Sequence, residues 1–399
     1  MNNERLTPVM GAERIQSLDV IRGLAIFGIF FVNMPSFFSP VLYLNPKDWW
    51  SGEWNQWTNS FVDIFAQASF YTLFSFLFGF GMILFKERAL AKGYSFYPLI
   101  TRRLIVLLLF GCLHAFFVWH GDILITYAIV GAIFLLFHKA KPITLLIWAL
   151  VLIFVPNLLL GGMMFLAVMF EPGLSAIMFN EQLAQKSAEI YTTGGFWEIT
   201  IQRFQDWYYV NNVGSIFVLV ITLLPMFLLG AFIAKKKWLE GRDEDIKKVK
   251  ILWLISLTIG VPMKLLPYYT SKNAATEYLQ DTIGGPGTAV FYATSIVLLM
   301  RLPVWKRILS PLAFVGRLSL SNYLFQSIVC TLLFYGYGFG LYGKMELYTG
   351  FLLTIAIFII QIVLSYLWLK KFRFGPIEWI WRTLTYAQKV DIRKKAIRE

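Results

Sequence analysis

The sequence predicts an all-α polytopic transmembrane helix bundle of about ten spans with both termini cytoplasmic. Three observations predict it: long apolar runs, little charge inside them, and basic residues gathered in alternate connections. Of 399 residues, 58% are hydrophobic and 15% charged, and mean hydropathy is +0.63. A soluble domain carries roughly 45–50% apolar and about 25% charged residues. About 20 helical residues cross the hydrocarbon, and a crossing segment must satisfy its own backbone, which favours helices. Barrel strands would alternate over about ten positions; Leu104 to Phe117 and Phe351 to Leu369 do not.

The runs place spans at 18–38, 61–85, 103–119, 122–138, 142–169, 213–234, 250–267, 286–302, 311–335 and 350–370. The whole chain, 1–399, reads as one transmembrane domain, with a 17-residue cytoplasmic N-terminal segment, an outer loop at 171–212 and a cytoplasmic tail at 371–399. The run from Leu18 lacks a small-residue cleavage site and reads as a span, not a removable signal. Connections after odd-numbered spans carry few basic residues: Lys47, then Lys186 and Arg203, Lys272 and Lys344. The segment 86–103 holds Lys86, Arg88, Lys92, Arg102 and Arg103, and 235–250 holds seven lysines and arginines. Lys306, Arg307, Lys370, Lys371 and Arg373 continue the pattern. Basic residues stay on the cytoplasmic side, so the net charge of +13 reflects topology and excludes nucleic acid as the expected partner; the bilayer is the partner.

Taken in order, span one carries Asp19, Arg22 and Asn33. Asp19 and Arg22 are three apart and share a helix face; Arg22 and Asn33 are eleven apart, about three turns. An ion pair at the cytoplasmic interface explains Asp19 and Arg22 equally well. Trp49, Trp50, Trp54 and Trp57 follow, where an outer aromatic belt would sit. Asp63 and Gln67 are four apart in span two, and Gly79 and Gly81 mark close helix packing near its inner end. Span three sets Arg103 and His114 eleven apart on one face. Trp119-His120-Gly121-Asp122 then forms a tight turn, with Asp122 at the start of the next helix, where a carboxylate is favoured, and Tyr127 beyond it. A carboxylate on one imidazole nitrogen would fix the tautomer and leave the other nitrogen as a base; a histidine satisfied at a helix interface is the plainer alternative.

The loop 171–212 is amphipathic through Phe196, Trp197, Ile201, Phe204 and Trp207, and suits either an interfacial helix or a cap over the bundle. Pro156, Pro225 and Pro262 fall inside spans without forming a matched pair, and no internal repeat is visible. In span nine, GRLSLSNYLFQS at 316–327 brings Arg317, Ser319, Ser321, Asn322, Gln326 and Ser327 into one segment. Such residues glue helices together; at this density they also predict a lined cavity. Cys112 and Cys330 read as small buried hydrophobes, and no metal-ligand spacing occurs, so no metal is expected.

The strings RIQSLDVIRGLAIFGIFFVN (14–33), RRLIVLLLFGCLHAFFVWHGDILITYAIVG (102–131), GRLSLSNYLFQSIVCTLLFYGYGFGLYG (316–343) and FGPIEWIWRTLTY (374–386) resemble the YeiB-like family of bacterial inner-membrane proteins. That resemblance implies a multi-pass protein of the bacterial cell (inner) membrane and supplies no chemistry. Leu18-Asp19 followed by Arg22-Gly23 is similar, more distantly, to the opening of transmembrane acyltransferases such as heparan-α-glucosaminide N-acetyltransferase. That likeness implies acyl-CoA as donor, an acceptor across the membrane and an essential histidine.

Two functions follow as expectations. In the first, acyl-CoA docks its phosphates near Arg22, Arg102, Arg103 or Arg317, because guanidinium groups bind phosphate bidentately. His114, oriented by Asp122, deprotonates a small-molecule, lipid or glycan acceptor, and Asn33, Asn322 or Gln326 donates to the oxyanion. Asp19 and Tyr127 complete the expected polar path. In the second, the same path carries a small solute or lipid head group, as a transporter or flippase would. A homo-oligomer is compatible with either, and a scaffold whose polar groups only fix packing is the remaining possibility.

Overall fold

The computed structural model describes residues 15–171 and 179–394, and these are helical throughout apart from turns and one isolated bridge between Phe372 and Arg393. Eight helices are long and apolar enough to cross a bilayer: Gln16–Phe38, Glu53–Ala91, Phe96–Phe117, Pro142–Phe170, Gly214–Lys236, Asp243–Tyr269, Ala274–Leu299 and Leu347–Lys371. Two shorter apolar helices, Leu124–Phe134 and Ser319–Phe334, occupy the places of spans four and nine. Every expected span is therefore a helix, and the chain is a polytopic bundle. The N-terminal segment, the outer loop and the tail fall partly on 1–14, 172–178 and 395–399, outside the described residues.

Alternation of the helices creates two faces. The connections 39–52, 118–123, 179–212, 270–273 and 335–346 share one, here termed distal. Asn180 N donates to Tyr43 O (2.8 Å), Gly336 N to Tyr191 O (2.8 Å) and Gly343 N to Phe38 O (2.7 Å) across it. The terminal face holds both ends of the described chain: Ser17 Oγ donates to Leu239 O (3.2 Å), Lys235 Nζ to Ala140 O (2.6 Å) and Trp381 Nε1 to Arg103 O (2.9 Å).

Three spans depart from their expected outlines. Span nine begins at Ser319, not 311, because Leu312–Arg317 forms a separate short helix laid against span one. A Cβ on Gly316 would stand 1.9 Å from Asp19 O and one on Gly23 2.0 Å from Leu312 O, so only glycines permit this crossing, the membrane rule of small residues at tight interfaces. Span two is broken: Glu53–Phe65 and Ser69–Ala91 meet at Ala68, whose φ is +58°. Span eight starts at Ala274, well before 286, and is interrupted by a π-helical turn at Gln280–Gly284. The two breaks are neighbours, since Ser69 Oγ and Thr288 Oγ1 are hydrogen-bonded at 2.7 Å and Gly285 packs on Ala68. The close packing expected at Gly79 is met against Phe227, whereas Gly81 faces open space.

The helix Phe196–Val210 combines the two options for its loop. Its polar side is buried through Gln202, Arg203 and Asp206, while Trp197, Ile201, Phe204 and Tyr208 are exposed. It is thus a cap that turns its aromatic side to where lipid would lie. Asp206 latches it by accepting from Tyr43 OH, Tyr191 OH and Gln202 Nε2, each at 2.7 Å. Arg203 donates to Phe117 O (3.1 Å) and Tyr337 OH (2.8 Å). Of the tryptophans, Trp54 and Trp57 are exposed as a belt requires, but Trp50 is buried and donates to Met345 O.

Two outcomes are expected. Removing the Asp206 carboxylate orphans three buried donors, each costing about 1–3 kcal/mol. Asp206→Ala should therefore lower the melting temperature in detergent by several degrees, whereas Phe204→Ala on the exposed side should change it little. In a Cys112→Ser, Cys330→Ala background, an impermeant maleimide should label Lys47→Cys and Lys344→Cys in intact cells and Lys236→Cys and Lys306→Cys only after lysis; the reverse pattern inverts the expected orientation.

Candidate functional site

A cavity of about 770 Å³ opens on the distal face, walled by spans one, two, eight and nine, the 118–123 turn and the distal loops. Its chemistry has two poles.

The first pole is built on the end of span three. Span three stops at Phe117, the turn reverses the chain, and Asp122 caps the next helix by accepting from Ile125 N (2.8 Å). Its other oxygen meets His114 Nδ1 at 2.8 Å, and His114 Nε2 meets Ser327 Oγ at 2.9 Å. The His114 and Asp122 side chains are 1% and 0% exposed. An ionised Asp122 would only accept, which places a proton on Nδ1; in a neutral ring Nε2 is then the acceptor for the serine hydroxyl. Asp122, Trp119 and Tyr323 belong to the cavity wall. His114 lies one layer behind, its ring 5.1 Å from that of Tyr323 and 6.1 Å from that of Trp119.

The second pole gathers at the broken spans. Asp63 accepts from Tyr268 OH (2.7 Å), Gln280 Nε2 (3.2 Å) and Lys272 Nζ (3.4 Å). Asp281 pairs with Lys264 at 3.2 Å, and Lys272 reaches Glu277 at 3.4 Å. Asp63, Gln67, Lys272, Glu277, Gln280 and Asp281 all line the cavity. Gln280 and Asp281 lie before the apolar run that starts at 286, so hydropathy alone does not reach them. The signal was present as Asn273, which caps Ala274–Leu279 through a capping box with Thr276, a recognisable helix start. Lys264 was hidden inside an apolar run.

The remaining expected site residues do not converge on one chamber. Asn33 lines the cavity. Asp19 and Arg22 pair with each other at 3.2 Å near the terminal face. The Arg103 guanidinium lies 3.8 Å from the Trp381 ring and 5.2 Å from that of Phe85, and Arg317 ends the short helix on span one. None of these four belongs to the cavity wall. Tyr127 donates to Tyr71 O at 2.8 Å beneath the wall. The lined cavity expected along span nine is instead a helix interface: Asn322 Nδ2 donates to Ser365 Oγ (3.0 Å) and Gln326 Nε2 to Gln361 Oε1 (2.9 Å), both in span ten. Only Tyr323 and Ser327 of this segment turn to His114. Ser321 and the amides of Leu320 and Ser321 bond Glu378 of the tail helix Pro376–Tyr386; burial pushes the Glu378 carboxyl up, against the pull of those hydrogen bonds.

A helical bundle of ten apolar segments with buried ionisable groups around a cavity defines a polytopic membrane protein with a polar interior. The family model described as "Protein of unknown function (DUF418)" matches residues 233–388. The chain is 41% identical to the uncharacterized protein YxaH of Bacillus subtilis (strain 168), over 98% of each chain. It is 30% identical to the uncharacterized protein YeiB of Escherichia coli (strain K12), over 94% of this chain and 96% of that one. An uncharacterized 39.9 kDa protein of Bacillus acidopullulyticus is 29% identical over 98% of this chain and 99% of its own. The chain belongs to this YeiB-like DUF418 family of multi-pass membrane proteins, whose matched relatives are bacterial.

His120, at the cavity rim, has its Nδ1 3.3 Å from Tyr191 OH and 3.8 Å from Asp206. Burial holds its pKa below the ordinary value, with Asp206 opposing. A base with a depressed folded pKa binds more protons when unfolded, so its contribution to stability falls as pH drops below about 6.5. Thermal melts should therefore lose stability between pH 7 and 5, and His120→Asn should flatten that loss; an unchanged slope would assign it elsewhere.

Proposed function

We propose that the protein is a membrane-embedded acyltransferase of the bacterial inner membrane in which His114, held by Asp122, is the general base. The acceptor enters the cavity from the distal, outer face, and a cytoplasmic acyl-CoA supplies the acyl group. The observation that carries this reading is the 2.8 Å contact between Asp122 and His114 Nδ1 beneath the cavity, which leaves Nε2 as the basic nitrogen. General-base catalysis of this kind contributes about 10²–10⁴-fold. Arg22, Arg102, Arg103 and Arg317 all belong to the terminal end of the bundle, where CoA phosphates would dock, and Arg22 and Arg103 are near enough to interact. The eleven residues from Arg103 to His114 span about 16 Å along a helix, a distance the acyl-pantetheine arm must cover as the helices part.

Isothermal titration of the purified protein with acetyl-, octanoyl- and palmitoyl-CoA should show binding. His114→Ala should keep that binding and lower transfer at least 100-fold, with Asp122→Asn also impaired through the wrong tautomer. Absence of binding to all three, or transfer left unchanged by His114→Ala, would remove the proposal.

A second reading, transport of a small solute or lipid head group, is favoured by one observation. Spans two and eight are both interrupted beside the pair formed by buried Lys264 and cavity-lining Asp281, the arrangement in which discontinuous helices bind substrates at mid-membrane. Counterflow in proteoliposomes without any acyl donor would support it.

A further inference from the structure

We infer that Ser327 is the nucleophile of this site, carrying the acyl group as a serine ester between donor and acceptor. The inference rests on the reading of His114 as a base and adds a covalent intermediate to it.

A serine inside a helix ordinarily returns its hydroxyl proton to the carbonyl one turn back. Here that acceptor, Tyr323 O, is at 3.4 Å, while His114 Nε2 is at 2.9 Å. With the ring neutral and its proton on Nδ1, Nε2 is the nearer acceptor for the hydroxyl. Asp122, His114 and Ser327 therefore form a continuous chain in which the carboxylate orients the imidazole and the imidazole faces a hydroxyl, the geometry by which hydroxyl nucleophiles are activated on unrelated folds. The three residues come from span three, the 118–123 turn and span nine, so the chain exists only once the bundle has formed.

Ser327 is 1% exposed and is not itself part of the cavity wall. Tyr323, one turn earlier on the same helix, is a wall residue packed on His114, and its hydroxyl is tethered to Gly121 O at 3.2 Å. Release of that bond and rotation of the ring would open Ser327 to the cavity.

In the first half-reaction Ser327 Oγ bonds to the acyl carbonyl carbon as its proton passes to His114 Nε2. The carbon–sulfur bond of the thioester then breaks, and His114 returns the proton to the departing thiolate. In the second, His114 removes a proton from the acceptor hydroxyl or amine, which bonds to the same carbon. The Ser327 ester bond breaks, and Oγ recovers the proton. Two half-reactions let donor and acceptor visit in turn, which suits a site approached from opposite faces.

Full-length protein in detergent is treated with a fluorophosphonate reagent and, separately, with radiolabelled acetyl- or palmitoyl-CoA, and modified peptides are mapped by mass spectrometry. Label is expected on Ser327, sensitive to hydroxylamine in the acyl case, absent in Ser327→Ala and reduced at least 100-fold in His114→Ala. Ser327→Cys, which keeps a nucleophile, should retain an acyl adduct and exclude misfolding as the cause of the loss. Normal transfer by Ser327→Ala alongside an inactive His114→Ala overturns the nucleophile and leaves the general base standing. Wild-type protein that takes neither label at Ser327 overturns the inference outright. Fluorophosphonate label at Ser327 without CoA binding keeps the nucleophile and sinks the CoA donor.

Discussion

An imidazole shut away from water needs both of its nitrogens satisfied, and the contacts of His114 with Asp122 and Ser327 meet that demand with groups from two other parts of the chain. The constraint extends beyond one residue. A bundle in lipid has no water to solvate a buried polar group, and an unpaired one costs several kcal/mol. Much of the interior polarity is accordingly gathered into local hydrogen-bonded networks. Asp206 anchors the distal cap, the Asp122 chain lies beneath the cavity, Asn322, Gln326, Gln361 and Ser365 join spans nine and ten, and Glu378 fastens the tail helix to span nine. Span nine takes part in three of these four, which explains why so polar a segment remains a stable helix.

The helix breaks add a different kind of polarity. Where span two turns through Ala68 and span eight passes through its π-helical turn, the regular ladder is interrupted. Non-helical backbone at membrane depth is tolerated only where protein or a water-filled cavity covers it, and π-turns concentrate at functional sites. Here the breaks adjoin the cavity and bring Gln67, Gln280 and Asp281 into its wall. The protein thus joins a hydrogen-bonded histidine on one side of the cavity to a cluster of carboxylates and lysines on the other.

The bundle was legible in the sequence because its signals are additive over many residues. Hydropathy located all ten helices, and the basic connections separated the two faces. The Asp122–His114 contact was legible too, since a short turn constrains two adjoining antiparallel helices. Convergence of Arg22, Arg103 and Arg317 with them was not, because sharing a helical face says nothing about depth: eleven residues separate Arg103 from His114 along the axis, and the arginines stay at the terminal end. The role of span nine was misjudged for a related reason. Polar density predicts that partners exist but not which helix supplies them, and Gln361 and Ser365 took up Gln326 and Asn322. Ser327 stood in the same string, yet nothing local distinguished it from Ser319 or Ser321; only the packing of span nine on span three did.

That packing also limits which functions the interior can perform. The cavity opens distally while the arginine-rich end lies on the opposite face, so a reaction using both must pass something through the terminal half of the bundle. A solute would have to move past the Tyr323 and Trp119 wall and then between close-packed helices, such as those that meet through Gly79 against Phe227. An acyl chain on a flexible arm needs a far narrower opening, and it needs to reach only as far as His114. On the proposed reading, side chains at the floor of the cavity would complete the transfer without the bundle opening to both faces. At the terminal face the polar groups are held by local contacts instead, Arg22 with Asp19 and Arg103 against Trp381, so that end of the bundle is tied together without drawing on the cavity.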